Sequence, residues 1–302
     1  MGATASTLRF FRARVNAITE LTPSFRRFTF GGDDLEEYGD PGFDQRIKVV
    51  FPTPTISLDA MPSGEDWYTR WREMPEDQRP PFRTYTTRQV RHDAREVDID
   101  MVAHDVQGPA SAWIAGASIG DEVLLLAPTT AHRGVSSGID FVPPARAEQL
   151  LLAGDETAAP AIAVILEQLP PDARGTVVVE LPHPADAEYL PRHPGFQYRV
   201  SARSDRERHV HLVPAVADAA DALAPRGRGA EVEEIDVDAN ILWEVPRTAK
   251  GGAALKSAPL YSWLAGEASA IKSLRRHLVT ELGVDRRAIA FMGYWRLGKA
   301  ES

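Results

Sequence analysis

The chain has 302 residues, no cysteine, 43% hydrophobic and 25% charged residues, and a formal net charge of −9. Disulfides, thiolate catalysis, Cys-ligated zinc and iron–sulfur clusters are therefore excluded as chain-borne features. The acidic balance argues against nucleic-acid binding. No apolar run approaches the ~18 residues of a membrane span, and Met1–Arg12 carries no secretory signal, so a cytoplasmic location is expected.

The length suggests two domains, and the pattern changes near residue 147. In the first part, residues 1–146, the expected strands are Leu8–Val15, Phe25–Phe30, Arg46–Phe51, Arg83–Arg88, Val97–Val102 and Val123–Leu126, separated by Gly, Pro and Asp turn signals. The Pro- and acid-rich stretch 52–81 reads as a loop with a short helix near Asp66–Arg72. Many short strands with regular turns predict an antiparallel six-stranded β-barrel. In residues 147–302 apolar strands alternate with helices, which predicts a doubly wound parallel sheet. Strands are expected at Gln149–Gly154, Thr176–Glu180, Phe196–Val200, Leu260–Ala265 and Ala288–Trp295. Helices are expected at Ala161–Leu169, at Pro214–Leu223 and along the Ile271, Leu274, Leu278 stripe, which stops at Gly283. Residues 224–234 read as a flexible connection.

The hexapeptide Arg83-Thr84-Tyr85-Thr86-Thr87-Arg88 organises the chemistry. On an extended strand Tyr85 and Thr87 face one side, and Thr84, Thr86 and Arg88 the other. Guanidinium forks suit phosphate oxygens, a Tyr ring suits a planar heterocycle, and a Thr hydroxyl can reach a ring nitrogen. The stretch reads either as a site for a nucleotide with a flat head group, such as a flavin, or as an edge strand with solvated arginines. Next, Asp100-Met101-Val102-Ala103-His104 runs into Gly108-Pro109-Ala110-Ser111-Ala112-Trp113, a strand, a turn and a helix starting at Ala110 or Ser111. Free amides at a helix start, with the Ser111 hydroxyl, form an anion site. The competing reading is a plain strand–turn–helix connection.

Three further constellations follow. Gly154-Asp155-Glu156-Thr157-Ala158 ends an apolar strand and opens a helix without a Gly-x-Gly-x-x-Gly fingerprint. Its two carboxylates would repel a diphosphate, and Asp155 or Glu156 can serve as an N-cap. Trp263-Leu264-Ala265-Gly266-Glu267 repeats that logic, with Glu267 either capping its helix or bordering a cleft. The chain closes on Gly293-Tyr294-Trp295-Arg296-Leu297-Gly298-Lys299, either packed aromatics or a cofactor border. His209 and His211 could share a strand face, but no third ligand completes a metal site. Arg275 and Arg276 are expected on the surface.

The hexapeptide resembles the Arg-x-Tyr-Thr-x-Arg motif of the siderophore-interacting proteins, a branch of the ferredoxin-reductase-like flavoproteins. The other four segments resemble that family's flavin-phosphate segment, its Ala-Gly-Asp-Glu-Thr-Ala segment, its Trp-x-Ala-Gly-Glu segment and its Gly-Tyr-Trp-Arg tail. The resemblance implies an FAD-binding barrel followed by an NAD(P)H-binding domain, and an FAD-dependent NAD(P)H:ferric-siderophore reductase that frees iron as Fe²⁺ in the cytoplasm. It implies that Arg83 and Arg88 hold flavin phosphate, Tyr85 stacks on the ring and Thr86 bonds near its reactive nitrogen. Thr87, Asp100, Val102, His104, Gly108, Ala110, Ser111 and Trp113 complete the flavin site. Asp155, Thr157, Ala158, Gly266, Glu267, Tyr294 and Trp295 line the nicotinamide side. A basic rim of Lys48, Arg133, Arg296 and Lys299 would attract an anionic ferric chelate. No acid or base residue is needed for electron transfer. Two alternatives stay open: a non-catalytic siderophore-binding accessory protein, and a flavin reductase taking electrons from ferredoxin. Arg203, Arg206 and Arg208 are candidates for a 2′-phosphate pocket.

Overall fold

The computed structural model describes residues 7–103, 108–132, 138–204, 206–224 and 242–298. His104, Arg133, Lys299 and the expected connection 225–234 lie outside them. The chain folds as two compact units, Met1–Ile139 and Asp140–Ser302.

The described strands of the first unit form one antiparallel sheet of seven: β1 (Leu8–Thr22), β2 (Phe25–Gly31), β3 (Arg46–Val50), β4 (Phe82–Thr86), β5 (Gln89–Arg91), β6 (Glu96–Val102) and β7 (Glu122–Pro128). Their order is β4-β3-β7-β1-β2-β6-β5. The two edge strands are consecutive in sequence, separated by Thr87 and Arg88. The sheet therefore curls until its edges meet, the way an antiparallel sheet removes its free edges. Thr87 N–H donates to the Gln45 carbonyl at 3.0 Å and Arg88 N–H to the Asp98 carbonyl at 2.9 Å, so the chain changes partners at this point. The expected single strand Arg83–Arg88 is thus two strands, and the barrel has seven strands rather than six. Alternation also stops at Thr86: Thr86 and Thr87 are both buried, because the backbone turns between them and the next strand.

β1 is twice as long as its apolar pattern suggests. Leu8–Arg14 pairs with β7, and the polar half Arg14–Thr22 pairs with β2. On the other strands alternate residues point into the core, although β6 and β7 are buried on both faces. Phe28 and Phe30, Ile47 and Val49, Val97 and Ile99, and Val123 and Leu125 meet Phe11 and Val15 in the barrel core. The stretch before β4 carries α1 (Trp67–Glu73), whose Trp71 packs on Phe82 and Leu58 outside that core.

The second unit has a six-stranded sheet in the order β10-β9-β8-β12-β13-β11. β8 (Arg146–Asp155), β9 (Gly175–Leu181), β10 (Phe196–Ala202), β12 (Ser257–Glu267) and β13 (Ile289–Trp295) run parallel. The short β11 (Trp243–Glu244) pairs antiparallel at the edge and makes the sheet mixed. α4 (Leu212–Leu223) and α5 (Ala268–Arg275) lie over Leu151, Ala153, Leu260 and Leu264. The eight residues Ala159–Leu166 of α3 (Ala159–Gln168) are all buried. Beyond α5 the helix widens into a π-turn over Arg276–Glu281, and Gly283 stops it at φ 72°. Arg275 is not on the surface: its guanidinium lies buried against Glu244 of β11, with Nε and Nη2 at 3.1 and 2.8 Å from the carboxylate. His209 and His211 sit in the turn before α4, not on a strand.

Candidate active site

Residues of the first unit come together along β4, β6 and α2 (Pro109–Gly116). β6 reads Val97-Asp98-Ile99-Asp100-Met101: its hydrophobic side chains enter the core, and its two carboxylates face the other way. Asp100 is nearly solvent-free, which costs free energy unless it is paired. Arg27 supplies a two-pronged pair, Nε to Oδ1 at 2.7 Å and Nη2 to Oδ2 at 2.9 Å, from the register position opposite. Arg88 Nε lies 3.3 Å from Oδ2. One carboxylate therefore ties the end of the hexapeptide to the strand that leads into α2. Asp98 is bound likewise by Arg91 and by the Thr29 hydroxyl. Burial alone would raise its pKa, but these donors hold it below the usual carboxylate range.

Along β4, Arg83 donates to the Phe82 carbonyl at 2.7 Å. Tyr85 is half-buried, its ring edge-on to Phe51 at 6.2 Å. The Thr87 hydroxyl is engaged inside the barrel, 2.9 Å from the Tyr38 phenol. Lys48 stands opposite Thr84, its ammonium 3.4 Å from the Thr84 hydroxyl and 4.8 Å from the centre of the Phe82 ring.

The start of α2 is open. Gly108 takes an extended φ of −174° at the N-cap, and Pro109 follows at the first helical position. A glycine cap has no side chain to lay over the amides of Ala110 and Ser111, and a Cβ added at Gly108 would meet nothing within 4 Å. Ser111 Oγ accepts from the Gly108 N–H at 3.1 Å and lies 3.1 Å from its carbonyl. Amides that the cap residue does not cover, the positive end of a helix and a hydroxyl fit a diphosphate. Trp113 is partly buried against the barrel core. Its ring packs on Phe28, Phe30 and Phe51 at 5.3, 6.4 and 5.2 Å, so it closes the barrel core. Ala110 is buried and Val102 half-buried.

The second unit gathers carboxylates at the carboxyl ends of its parallel strands, where open α/β sheets place their ligands. Each is turned inward. Asp155 Oδ1 accepts from the Thr157 N–H at 2.9 Å, in front of α3. Glu180, at the end of β9, accepts from the N–H groups of His209, His211 and Leu212 at 2.5, 2.9 and 3.0 Å, closing α4. Glu267 accepts from the N–H groups of Ser269 and Ala270 at 2.8 and 3.1 Å, closing α5. Glu156 is buried in a two-pronged pair with Arg203, both contacts at 2.7 Å, and also takes Arg208 at 2.6 Å. The spacing of β8 to its neighbours is set by Gly154, whose absent Cβ would lie 2.3 Å from the Ala265 carbonyl oxygen and 2.4 Å from the Ala158 Cβ. Ala158 is fully buried beneath this turn.

Of the predicted C-terminal aromatics, Tyr294 stacks on Trp243 at 5.6 Å, and Trp295 donates its indole N–H to Asp155 at 2.8 Å. Arg296 is half-buried. No group of three metal-ligating side chains occurs among the described residues. Sequence reasoning missed Arg27, Glu180 and the role of Arg203. Only the strand register reveals the first. For Glu180 the signal was a carboxylate ending a fully apolar strand, where a charge needs partners.

Two family models cover most of the chain: the siderophore-interacting FAD-binding domain over residues 14–132, and the siderophore-interacting protein model over residues 147–298. An uncharacterised Mycobacterium tuberculosis protein is 32% identical over 95% of this chain and 90% of its own length. The ferric vibriobactin reductase of Vibrio cholerae is 28% identical over 91% of this chain and 85% of its own. The NADPH-dependent ferric-chelate reductase of Escherichia coli K12 is 33% identical over 54% of this chain and 58% of its own. Among solved structures, a siderophore utilization protein from T. fusca superposes with a TM-score of 0.69 at 26% identity, over 98% of this chain and 95% of that one. A ferredoxin reductase of carbazole 1,9a-dioxygenase, at 13% identity and a TM-score of 0.56, shares the fold. The chain belongs to the siderophore-interacting protein family and carries that family's FAD-binding domain, with a ferredoxin-reductase-like fold.

Proposed function

We propose that this protein is an FAD-dependent ferric-siderophore reductase that draws electrons from a nicotinamide donor. The observation that carries the reading is the open start of α2 beside the Arg88–Asp100 tie. It is a main-chain anion site within the matched FAD-binding domain. FAD, when bound, supplies the hydride acceptance and single-electron delivery that no side chain of this protein can provide. The chain contributes position and charge. The amides of Ala110 and Ser111, the Ser111 hydroxyl and the Arg83 guanidinium hold the phosphates, and Arg88 is steadied by Asp100. Tyr85 offers its ring to the flavin face, and Thr86 stands beside the reactive nitrogen. Lys48 and Arg296, with Arg133 and Lys299 beyond the described residues, draw in an anionic ferric chelate. Reduction frees the metal because Fe²⁺ binds hard oxygen ligands more weakly than Fe³⁺. Release takes place in the cytoplasm. No helix among the described residues is long and apolar enough to cross a membrane.

The donor side follows a different logic. With α4 and α5 each closed by a carboxylate and Asp155 holding the turn before α3, the donor's phosphates are held by side chains, of which Arg206 is the most exposed of the three arginines after β10. The same closure favours a second reading of the donor, an electron-carrier protein of the ferredoxin class, which needs no phosphate site. Anaerobic absorbance spectroscopy of the purified protein tests both. The flavin bands bleach on adding NADPH or NADH and return on adding a ferric chelate. A protein that takes up no added FAD sinks the reading. One that binds FAD but is bleached only by reduced ferredoxin replaces the donor.

A further inference from the structure

At the carboxyl edge of the second sheet, one side chain receives more donors than a helix cap requires. Asp155 is solvent-free. Its Oδ1 accepts from the Thr157 N–H and hydroxyl at 2.9 and 2.5 Å. Its Oδ2 accepts from the Glu267 N–H at 3.1 Å and from the Trp295 indole N–H at 2.8 Å, and His209 Nε2 lies 3.4 Å away. Thus β8, β12, the last strand β13 and the turn before α4 all converge on one carboxylate.

The backbone around it is shaped for this. Gly266 sits at φ 152°, and a Cβ there would come within 2.9 Å of Asp155 Oδ2, so glycine is the residue that leaves the carboxylate its place. The register between β12 and β13 shifts at the same point: Gly266 faces Gly293, but Glu267 faces Trp295. Tyr294 is the extra residue of that bulge. A bulge re-aims the side chain that follows it, here turning the Trp295 indole toward Asp155. The Arg208 guanidinium lies 5.1 Å from the centre of the Trp295 ring while its Nη1 holds Glu156, and the His209 ring lies at 6.0 Å. One residue beyond Arg296, the Leu297 N–H reaches Glu267 at 3.3 Å.

We propose that Asp155 is a positioning residue: its carboxylate fixes the Trp295 indole, and through it the C-terminal segment, across the carboxyl edge of the sheet where the nicotinamide donor binds. The donor part of this statement rests on the function proposed above. A plain N-cap would engage Thr157 alone. The indole bond, the bulge and Gly266 are what a cap does not need.

The test separates position from donor. The chain has six tryptophans, each with one indole N–H signal in a nitrogen-correlated NMR spectrum. Trp295→Phe identifies the Trp295 signal by its loss. In the unaltered protein that proton exchanges slowly with solvent, and in Asp155→Asn at least about tenfold faster, the other five keeping their rates. Because Asp155→Asn removes a buried charge and can fail to fold, Trp295→Phe provides a second measurement. It keeps an aromatic ring at the position while deleting the indole N–H, and trypsin then cuts after Arg296 several-fold faster than in the unaltered protein. With FAD bound, either variant raises the KM for the nicotinamide donor about fivefold with kcat changed less than about twofold. An unchanged indole exchange rate in folded Asp155→Asn, or unchanged cleavage after Arg296 in Trp295→Phe, overturns the positioning role. If exchange and cleavage respond but neither NADPH nor NADH reduces the unaltered protein, the positioning role stands and the donor reading fails.

Discussion

The two units treat the beginnings of their helices in opposite ways. In the barrel unit, α2 starts on a glycine, which lays no side chain over its first amides. In the sheet unit, α4 and α5 each start under a carboxylate of the chain itself, Glu180 and Glu267, while Asp155 holds the turn just before α3. A helix start attracts anions whether the anion is a phosphate or an aspartate. Once filled from within, it contributes to stability and is lost as a phosphate site. The contrast agrees with the proposal that the diphosphate of FAD lies at the barrel.

The glycines make the first pair of experiments. Gly154→Ala drives a methyl group into the Ala265 carbonyl and Ala158, both on rigid backbone. A loss of ~3 kcal/mol is expected for the sheet unit. Urea unfolding followed by tryptophan emission reads it. Gly108→Ala, by contrast, meets open space at an extended φ and leaves stability within about 0.5 kcal/mol.

Next in size is the loss of a filled helix start. Glu180→Gln keeps the shape of the side chain but removes the charge that three N–H groups share. The sheet unit loses ~2 kcal/mol, while FAD affinity is unchanged. A drop in FAD affinity would show that the two units do not divide their roles as described. Arg83→Ala works the other way, weakening FAD binding about tenfold, or ~1.4 kcal/mol, with little effect on unfolding.

The smallest effect is a pH dependence confined to the sheet unit. Burial alone would lower the pKa of His209, but the hydrogen bond and charge of Asp155, with Glu180 and Glu267 near, raise it above its ordinary 6.5. Its contribution to stability is complete below pH 6.5 and is lost as pH rises through the raised folded value. Asp155 runs oppositely. Burial would raise its pKa, but His209, Thr157 and Trp295 hold it below 3.8, so its contribution is present above 3.8 and fades as pH falls through the lowered folded value. His209→Gln removes the alkaline-side slope and leaves a smaller acid-side one, held by Thr157 and Trp295, measured by thermal unfolding across the pH range.

Much of this was legible in the residues. The apolar alternation of Phe28 and Phe30 or Val97 and Ile99 identifies barrel strands because one face packs into the apolar core while the other carries polar side chains. Thr157, Glu267 and Trp295 were recognisable by their motifs. The second half of β1 escaped notice, because Asn16–Thr22 is polar and is a strand through its pairing with β2 alone. The break at Thr87 escaped for a related reason: closing the barrel, not local preference, bends the chain there. Arg203 and Arg208 read as free phosphate ligands. Both are bound to Glu156, a contact between residues 47 and 52 positions apart that no local pattern encodes.

The most direct test of the division between the two helix starts is to close the open one. Gly108→Asp places a carboxylate at the N-cap of α2, as Glu267 stands at that of α5, at a backbone position that accepts a side chain without strain. The dissociation constant of FAD, titrated by quenching of flavin fluorescence, is predicted to rise about 30-fold, or ~2 kcal/mol, over that of Gly108→Ala, with the unfolding midpoint unchanged or raised. If Gly108→Asp binds FAD as tightly as Gly108→Ala, the phosphates do not lie at the start of α2.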